Sequence, residues 1–391
     1  MSEATLELPK DFGFGTEEVL LRDMARKFFR EELPIEKLRR LVAADPEATY
    51  ERGERPAWDE GLWKHCVELG WTGLAVPEEN GGTDFPLVGI AALVEEAGRA
   101  AFPSPLVPTL CATFVLRKAG TAVADAWLER VANGSALSLA ITDATGSWEP
   151  EHTDVRLENG RLQGQAHFVQ DAFKADAFAV LAKDGEACRL VVVPADADGL
   201  SVAQDHIHDL TRDQAVLRFD RVRVSDYDLV ASDGASTLRA AWPAILVLVS
   251  ADLCGTSEWQ LQTTAEYAKV RKQFDRPLGF FQAVKHPLSD AMLKIDRARS
   301  LLYWAACCVD HPDATTAQQT ETAARMAKSA ASDAGRFASD RSVQLHGGIG
   351  FTWESDVHIY FKRSMHNQAL YGDGRYQRAR VADAIIGPVG G

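Results

Sequence analysis

Residues 271–286, RKQFDRPLGFFQAVKH, gather chemistry that a plain helix end does not need. Arg271 closes a long run of helical period and carries a planar, fork-shaped cation suited to a phosphate. Phe274, Phe280 and Phe281 offer flat apolar surfaces, Pro277 stops the helix, Gly279 lets the backbone turn, and Gln273 and Gln282 add amides. A second stretch, QLHGGIGFTWE at 344–354, sets Gln344 ahead of Gly347 and Gly348, where a ligand can come close to bare backbone. The ligand class that fits is an anion with an aromatic portion. Each stretch also reads as a structural helix end, the first with an aromatic plug and the second capped by glycine.

Other chemistries lack their residues. No G-x-G-x-x-G follows a strand, no G-x-x-x-x-G-K-[ST] occurs, and there is no G-x-S-x-G elbow. His206 and His208 have no third ligand nearby, which makes them a loop pair and leaves no metal site to name. A net charge of −14 excludes the basic stripe that nucleic acid or an anionic membrane surface requires. Six cysteines without a CxxC spacing read as free thiols in a reducing compartment, and residues 1–10 show no apolar leader, so the expected location is cytoplasmic. The apolar stretch AAWPAILVLVSA (240–251) is too short for a span and reads as the start of a buried helix.

Three zones must position these residues. From Thr16 to about residue 130 the period is helical, and TEEVLLRDMARKFFREEL places Leu20, Met24 and Phe28 on one face. From about 135 to 232 short β-branched runs alternate with Asn-Gly and Asp-Gly turns, Asn159-Gly160 being a clear hairpin signal. From about 236 helical period returns, with Leu246, Val249 and Leu253 on one stripe. The expected architecture is α+β in three domains: an N-terminal helical domain at 1–132, a middle antiparallel β barrel or sandwich at 133–233, and a C-terminal four-helix bundle at 234–391.

Taken together, these segments resemble the acyl-CoA dehydrogenase family over nearly the whole chain. RKQFDRPLGFFQAVKH is similar to its R-x-x-F-G-x-x-[ILV]-x-x-[FH]-Q segment, QLHGGIGF to its Q-x-x-G-G-x-G-[YF] segment, and VPEENGG to its PEEYGG loop. The resemblance implies FAD, an acyl-CoA substrate and an electron-transfer flavoprotein as acceptor. It also implies that both C-terminal segments reach across a dimer interface to the neighbour's FAD. On that basis Arg271 faces the pyrophosphate, Gln273, Phe274, Phe281 and Gln282 add polar and stacking contacts, and Gln344, Gly347 and Gly348 lie against phosphates.

The half that would serve this chain's own flavin is eroded. The family's T-E-P-x-x-G-S-D loop reads ITDATGSWE (141–149), keeping Thr142, and its G-x-K-x-W-[IV]-[TS] strand reads GQAHFVQ (164–170), keeping Gly164 and Phe168. The glutamate base of the family falls on Tyr371, and its alternative position at or near Ile245; neither is a carboxylate. Asp143 and Asp373 are the nearest substitutes, and Asp275 replaces a motif glycine. This pattern resembles the partner-type subunit of bacterial heteromeric acyl-CoA dehydrogenases that shorten steroid side chains. Three alternatives stand beside it: a self-sufficient homo-oligomer with a relocated base, a related flavin monooxygenase, and a non-catalytic binding protein.

Overall fold

The computed structural model describes residues 8–42, 58–225 and 228–387; residues 1–7, part of the stretch read above for an apolar leader, lie outside them. The chain opens on helix α1 (Thr16–Glu32), where Glu17 and Glu18 occupy the first turn and the Glu18 carboxylate accepts the Gly15 N–H at 2.8 Å. The face that α1 buries is only partly the expected one, Phe28 packing edge-on to Trp71 at 4.9 Å. Ala25 and Phe29 turn inward with Glu18, whereas Leu20 is 61% and Met24 46% exposed. The reason is packing: α1 lies on a neighbouring helix through its small residues and one phenyl ring, and Leu20 and Met24 fall outside that seam.

After α2 (Ile35–Val42) and α3 (Glu60–Glu68) comes the central helix of this zone, α4 (Leu87–Arg99), buried along almost its whole length. Its N-terminus has no local side-chain cap. The Leu87 and Val88 N–H groups donate instead to Asp310 in the C-terminal zone, at 2.8 and 3.0 Å, which pins the two zones together. Helices α5 (Leu106–Ala119) and α6 (Ala122–Ala132) complete the N-terminal layer.

The middle zone is one sheet built from β1 (Leu137–Ala140), β2 (Arg156–Glu158), β3 (Arg161–Gln170), β4 (Ala177–Asp184), β5 (Ala187–Pro194), β6 (Leu200–Gln204), β7 (Gln214–Arg223) and β8 (Leu229–Ala231). Its order is β6-β7-β3-β2-β4-β5-β8, with β1 on β4. The predicted Asn159-Gly160 hairpin forms, both residues left-handed (φ 51° and 70°) between the paired Glu158 and Arg161. The sheet is mixed, not purely antiparallel, because β1 runs parallel to β4, as does the start of β2 at Arg156. Period two explains why the paired ends of β4 and β5 are continuously apolar: Ala177, Ala179, Leu181, Leu190 and Val192 face the helical core, while Phe178, Val180, Val191 and Val193 line a core inside the curled sheet.

The C-terminal zone begins with α7 (Gly234–Val270), followed by a two-residue pairing of β9 (Lys272–Gln273) with β10 (Arg276–Pro277). Then come α8 (Gln282–Asp310), α9 (Ala317–His346), α10 (Val357–Ala369) and α11 (Gly374–Ile386). Among the described residues α7 alone is long and apolar enough to cross a membrane, yet 89% of its most apolar window is buried inside the fold. It is the core helix of the bundle, and Leu246, Val249 and Leu253 are all buried as expected.

Candidate functional site

The Arg271 segment is built by the way α7 ends. Arg271 is its C-cap, with its N–H on Tyr267 O at 2.9 Å, so the helix ends at Val270, seven residues before Pro277 (277 − 270), which lies in β10. The chain then doubles back, Gln273 pairing with Arg276, and the Leu278 N–H closes onto Arg271 O at 2.8 Å. Phe274 and Asp275 are the corner residues, both left-handed at φ 53° and 59°. That geometry explains why the motif has glycine at 275, and aspartate tolerates it better than most residues. Phenylalanine does not, and Phe274 is held there 87% exposed, with Phe281 edge-on at 6.2 Å and Phe280 next to Phe281 at 5.5 Å. Gln282 starts α8.

The second segment arrives at the same end of the bundle. The Tyr267 ring stacks on His346 at 4.3 Å, joining the last turns of α7 and α9. Gly347 ends α9 at φ 65°, and a Cβ added there or at Gly348 would meet nothing within 4 Å. Gln344, Gly347 and Gly348 are exposed, and so is Arg271, whose guanidinium has no carboxylate partner among the described residues. A free cation, two open glycines and exposed aromatic edges form a surface that fits a dinucleotide's phosphates and rings.

Thr142 and Phe168 lie elsewhere. Thr142 is buried and bridges His167, whose N–H reaches Thr142 O at 2.9 Å. Phe168 sits at φ 57° where the β3–β7 register shifts, a bulge that turns its ring out of the ladder. Two residues on, Gln170 meets His366 of α10 at 2.6 Å. The C-terminal end of α10 is in turn held by Lys328 of α9, which donates to Gln368 O at 3.0 Å. Lys328 is eighteen residues before His346 (346 − 328), on the order of 27 Å along the helix. The two groups of candidate cofactor residues are therefore at separate places in the chain.

The base positions are closed. Tyr371, 6% exposed and left-handed at φ 56°, has its ring edge-on to Trp148 at 5.3 Å and to Trp242 at 5.4 Å. Burial raises its phenol above the ordinary range. Ile245 is wholly buried within α7. Asp143 accepts the N–H groups of Thr145 and Ser147 at 3.1 and 2.8 Å, and Asp373 caps α11 through the Tyr376 N–H at 2.8 Å. Both carboxylates thus hold backbone. Sequence reasoning did not single out Trp148 and Trp242, which pack on Tyr371, Glu149, which meets Tyr376, or the buried network of Arg212, Asp252, Arg363 and Asn367. The tryptophan at 148, where the motif loop ends in Ser-Asp, was the one visible signal. Among the described residues no three His, Cys, Asp or Glu side chains are placed to hold a metal ion.

Residues 15–135 match the model of the acyl-CoA dehydrogenase N-terminal domain, and residues 247–386 match that of its C-terminal domain. The chain is 34% identical over 329 residues to acyl-CoA dehydrogenase IpdE2 of Mycobacterium tuberculosis, covering 84% of this chain and 87% of that protein. It is 29% identical to the IpdE2 of Mycolicibacterium smegmatis, covering 90% of this chain and 98% of that protein. Among solved structures, a variant of the Tcur3481–Tcur3483 steroid ACAD superimposes with a TM-score of 0.82 at 29% identity, covering 95% of this chain and 98% of that one. The ChsE4–ChsE5 complex from Mycobacterium tuberculosis gives 0.84 at 24% identity, covering 97% and 100%. With both terminal domains matched and a relative this similar along most of its length, the chain belongs to the acyl-CoA dehydrogenase family.

Proposed function

We propose that this chain is the partner subunit of a heteromeric, FAD-dependent acyl-CoA dehydrogenase, acting in the cytoplasm. It completes the FAD site of a homologous chain that carries the base. The observation that supports this best is the contrast within one molecule. Where the family's base stands, Tyr371 is buried under two indoles. Where a neighbour's cofactor would be met, Arg271, Phe274, Gly347 and Gly348 stand open. FAD, when bound, supplies the acceptor for the hydride that leaves Cβ as a CoA thioester is desaturated. This chain's share is to hold phosphate with Arg271, let it approach the backbone at Gly347 and Gly348, and stack Phe274 and Phe281. The separation between that set and Thr142 with Phe168 is the physical reason for sharing, since the two groups serve different cofactor molecules.

The proposed substrate class is a steroid-derived CoA thioester, on the strength of the likeness to the Tcur3481–Tcur3483 steroid ACAD, whose description names two chains. An electron-transfer flavoprotein would take the electrons onward. The free thiols, all six without a disulfide, fit a reducing compartment. The test is the FAD-to-chain ratio of the protein purified alone and after coexpression with a homologue bearing the glutamate. Flavin that comes only with the homologue supports the reading. A yellow protein on its own, with about one FAD per chain and bleached by acyl-CoA, overturns it.

A further inference from the structure

We infer that Trp148, Trp242 and Tyr371 form an aromatic plug that excludes an acyl tail from this chain's own site, with Glu149 as its latch. The inference rests on the partner-subunit reading and makes it specific: the pocket in front of the plug ends before the place where carbon chemistry would occur. That pocket has a volume of about 360 Å³ and is bordered by Trp148, Glu149, Arg239, Trp242, Arg325 and Arg380, among others. Tyr371 does not border it. The two indoles that do are the ones packed edge-on against the Tyr371 ring, so they stand between the pocket and the tyrosine. A base acts only within hydrogen-bond reach of the carbon it deprotonates, so the acyl carbons would need the very space the indoles fill.

The plug is held from both sides. Trp242 belongs to α7 and is 6% exposed. Trp148 comes in on the loop that follows β1, a segment with no ladder bonds of its own at that point and therefore dependent on side-chain ties. Asp143 gathers the loop's N–H groups. The Glu149 carboxylate accepts the Tyr376 O–H at 2.6 Å and pairs with Arg380, both on α11. Burial alone would raise the Glu149 carboxyl, but the Tyr376 hydroxyl and the Arg380 and Arg325 charges outweigh it and hold it below its ordinary value. Glu151 pairs with Arg239 of α7 on the other flank. Arg325 is paired in turn with Glu321 at 2.7 Å. The loop is thus tied to α11 and α7 at once, with Trp148 wedged between them.

Binding of free CoA and of octanoyl-CoA to the full-length chain, by calorimetry, separates head from tail. The wild-type chain is expected to bind octanoyl-CoA no more tightly than CoA, including the case in which it binds neither. Trp148→Ala opens the wedge and should give a preference for octanoyl-CoA of at least about tenfold, roughly what burying two methylenes yields. Glu149→Gln removes the latch charge without deleting packing atoms and should move the preference the same way; it decides the matter if Trp148→Ala fails to fold. A wild-type preference of tenfold or more overturns the plug, as does the absence of any preference in a folded Trp148→Ala or, failing that, in Glu149→Gln. Flavin content on coexpression is read separately, so failure of the partner reading and failure of the plug are distinguishable.

Discussion

Arg363 Nη2 lies 2.6 Å from Asp252 Oδ2, and solvent reaches neither side chain. Arg363 Nε contacts the other oxygen at 2.9 Å, Arg212 and Asn367 reach the same carboxylate at 2.5 and 2.9 Å, and Arg212 also meets Asp171 at 3.2 Å. One aspartate on α7 thereby joins the sheet to α10. Burial alone would raise its carboxyl, but the two guanidinium groups outweigh that and hold it below the ordinary carboxylate value.

Asp252→Ala leaves two buried guanidinium groups short of their common partner and should cost on the order of 3–5 kcal/mol. The midpoint of chemical denaturation reads this directly. The sign with pH follows from the lowered value. The carboxylate stabilises the fold above its unfolded value of 3.8, and that contribution is lost as pH falls through the still lower folded value. The wild-type advantage over Asp252→Ala should therefore persist through mildly acidic pH and shrink only below about 4.

Lys328 carries the opposite sign. It is wholly buried on α9 and donates to Ser332 Oγ, Gln368 O and Gly372 O, each at 3.0 Å, and burial lowers its ammonium to about 7 from 10.5 although Asp373 opposes the shift. Between about 7 and 10.5 the unfolded chain holds a proton that the folded chain has released, so folding gains stability as pH rises through that window. Lys328→Met has no such proton. The stability of wild type minus that of Lys328→Met should rise from pH 7 to pH 10 and be flat below 7; a difference constant across the window would show that the lysine stays charged.

Local chemistry made much of this architecture legible, and long-range packing hid the rest. Asn159-Gly160 announces its hairpin because two left-handed residues in sequence have few other uses, and Gly347 ends its helix for a related reason. The inward face of α1 was misread because Leu20 and Met24 are apolar enough to be buried and nothing local shows that α4 meets the other face. The parallel contact of β1 with β4 joins residues forty apart (177 − 137), which no turn signal reports. The same holds for the site. Arg271 and Gly347 lie in contiguous motifs, whereas Trp148, Trp242 and Tyr371 come from a loop, a helix and a left-handed corner that meet only in the folded chain.

Arg271→Ala tests the cofactor surface in the assembled protein. On the proposed reading it removes a charge-assisted phosphate contact, and FAD retention should weaken by about 1.5–3 kcal/mol. Because Arg271 has no carboxylate partner among the described residues, the stability of the chain itself should stay within about 0.5 kcal/mol of wild type. Flavin content and unfolding midpoint, measured on the same coexpressed sample, separate the two effects. Unchanged flavin would remove Arg271 from the pyrophosphate.

Gly164→Ala and Gly348→Ala form a contrast that separates fold from ligand. Gly164 is at φ +112°, and a Cβ there would lie 2.2 Å from Asp154 O, so alanine must distort β3 beside the Phe168 bulge; on the order of 2–3 kcal/mol should be lost with or without flavin. Gly348 has no left-handed φ, and a Cβ there meets nothing within 4 Å, so alanine should leave the unfolding midpoint of the isolated chain unmoved. If the cofactor lies as proposed, the same methyl stands in the assembly where phosphate approaches bare backbone, and flavin content should fall. If Gly348→Ala retained flavin at the wild-type ratio, the open space beside Gly348 would face solvent in the assembly and the cofactor would lie elsewhere.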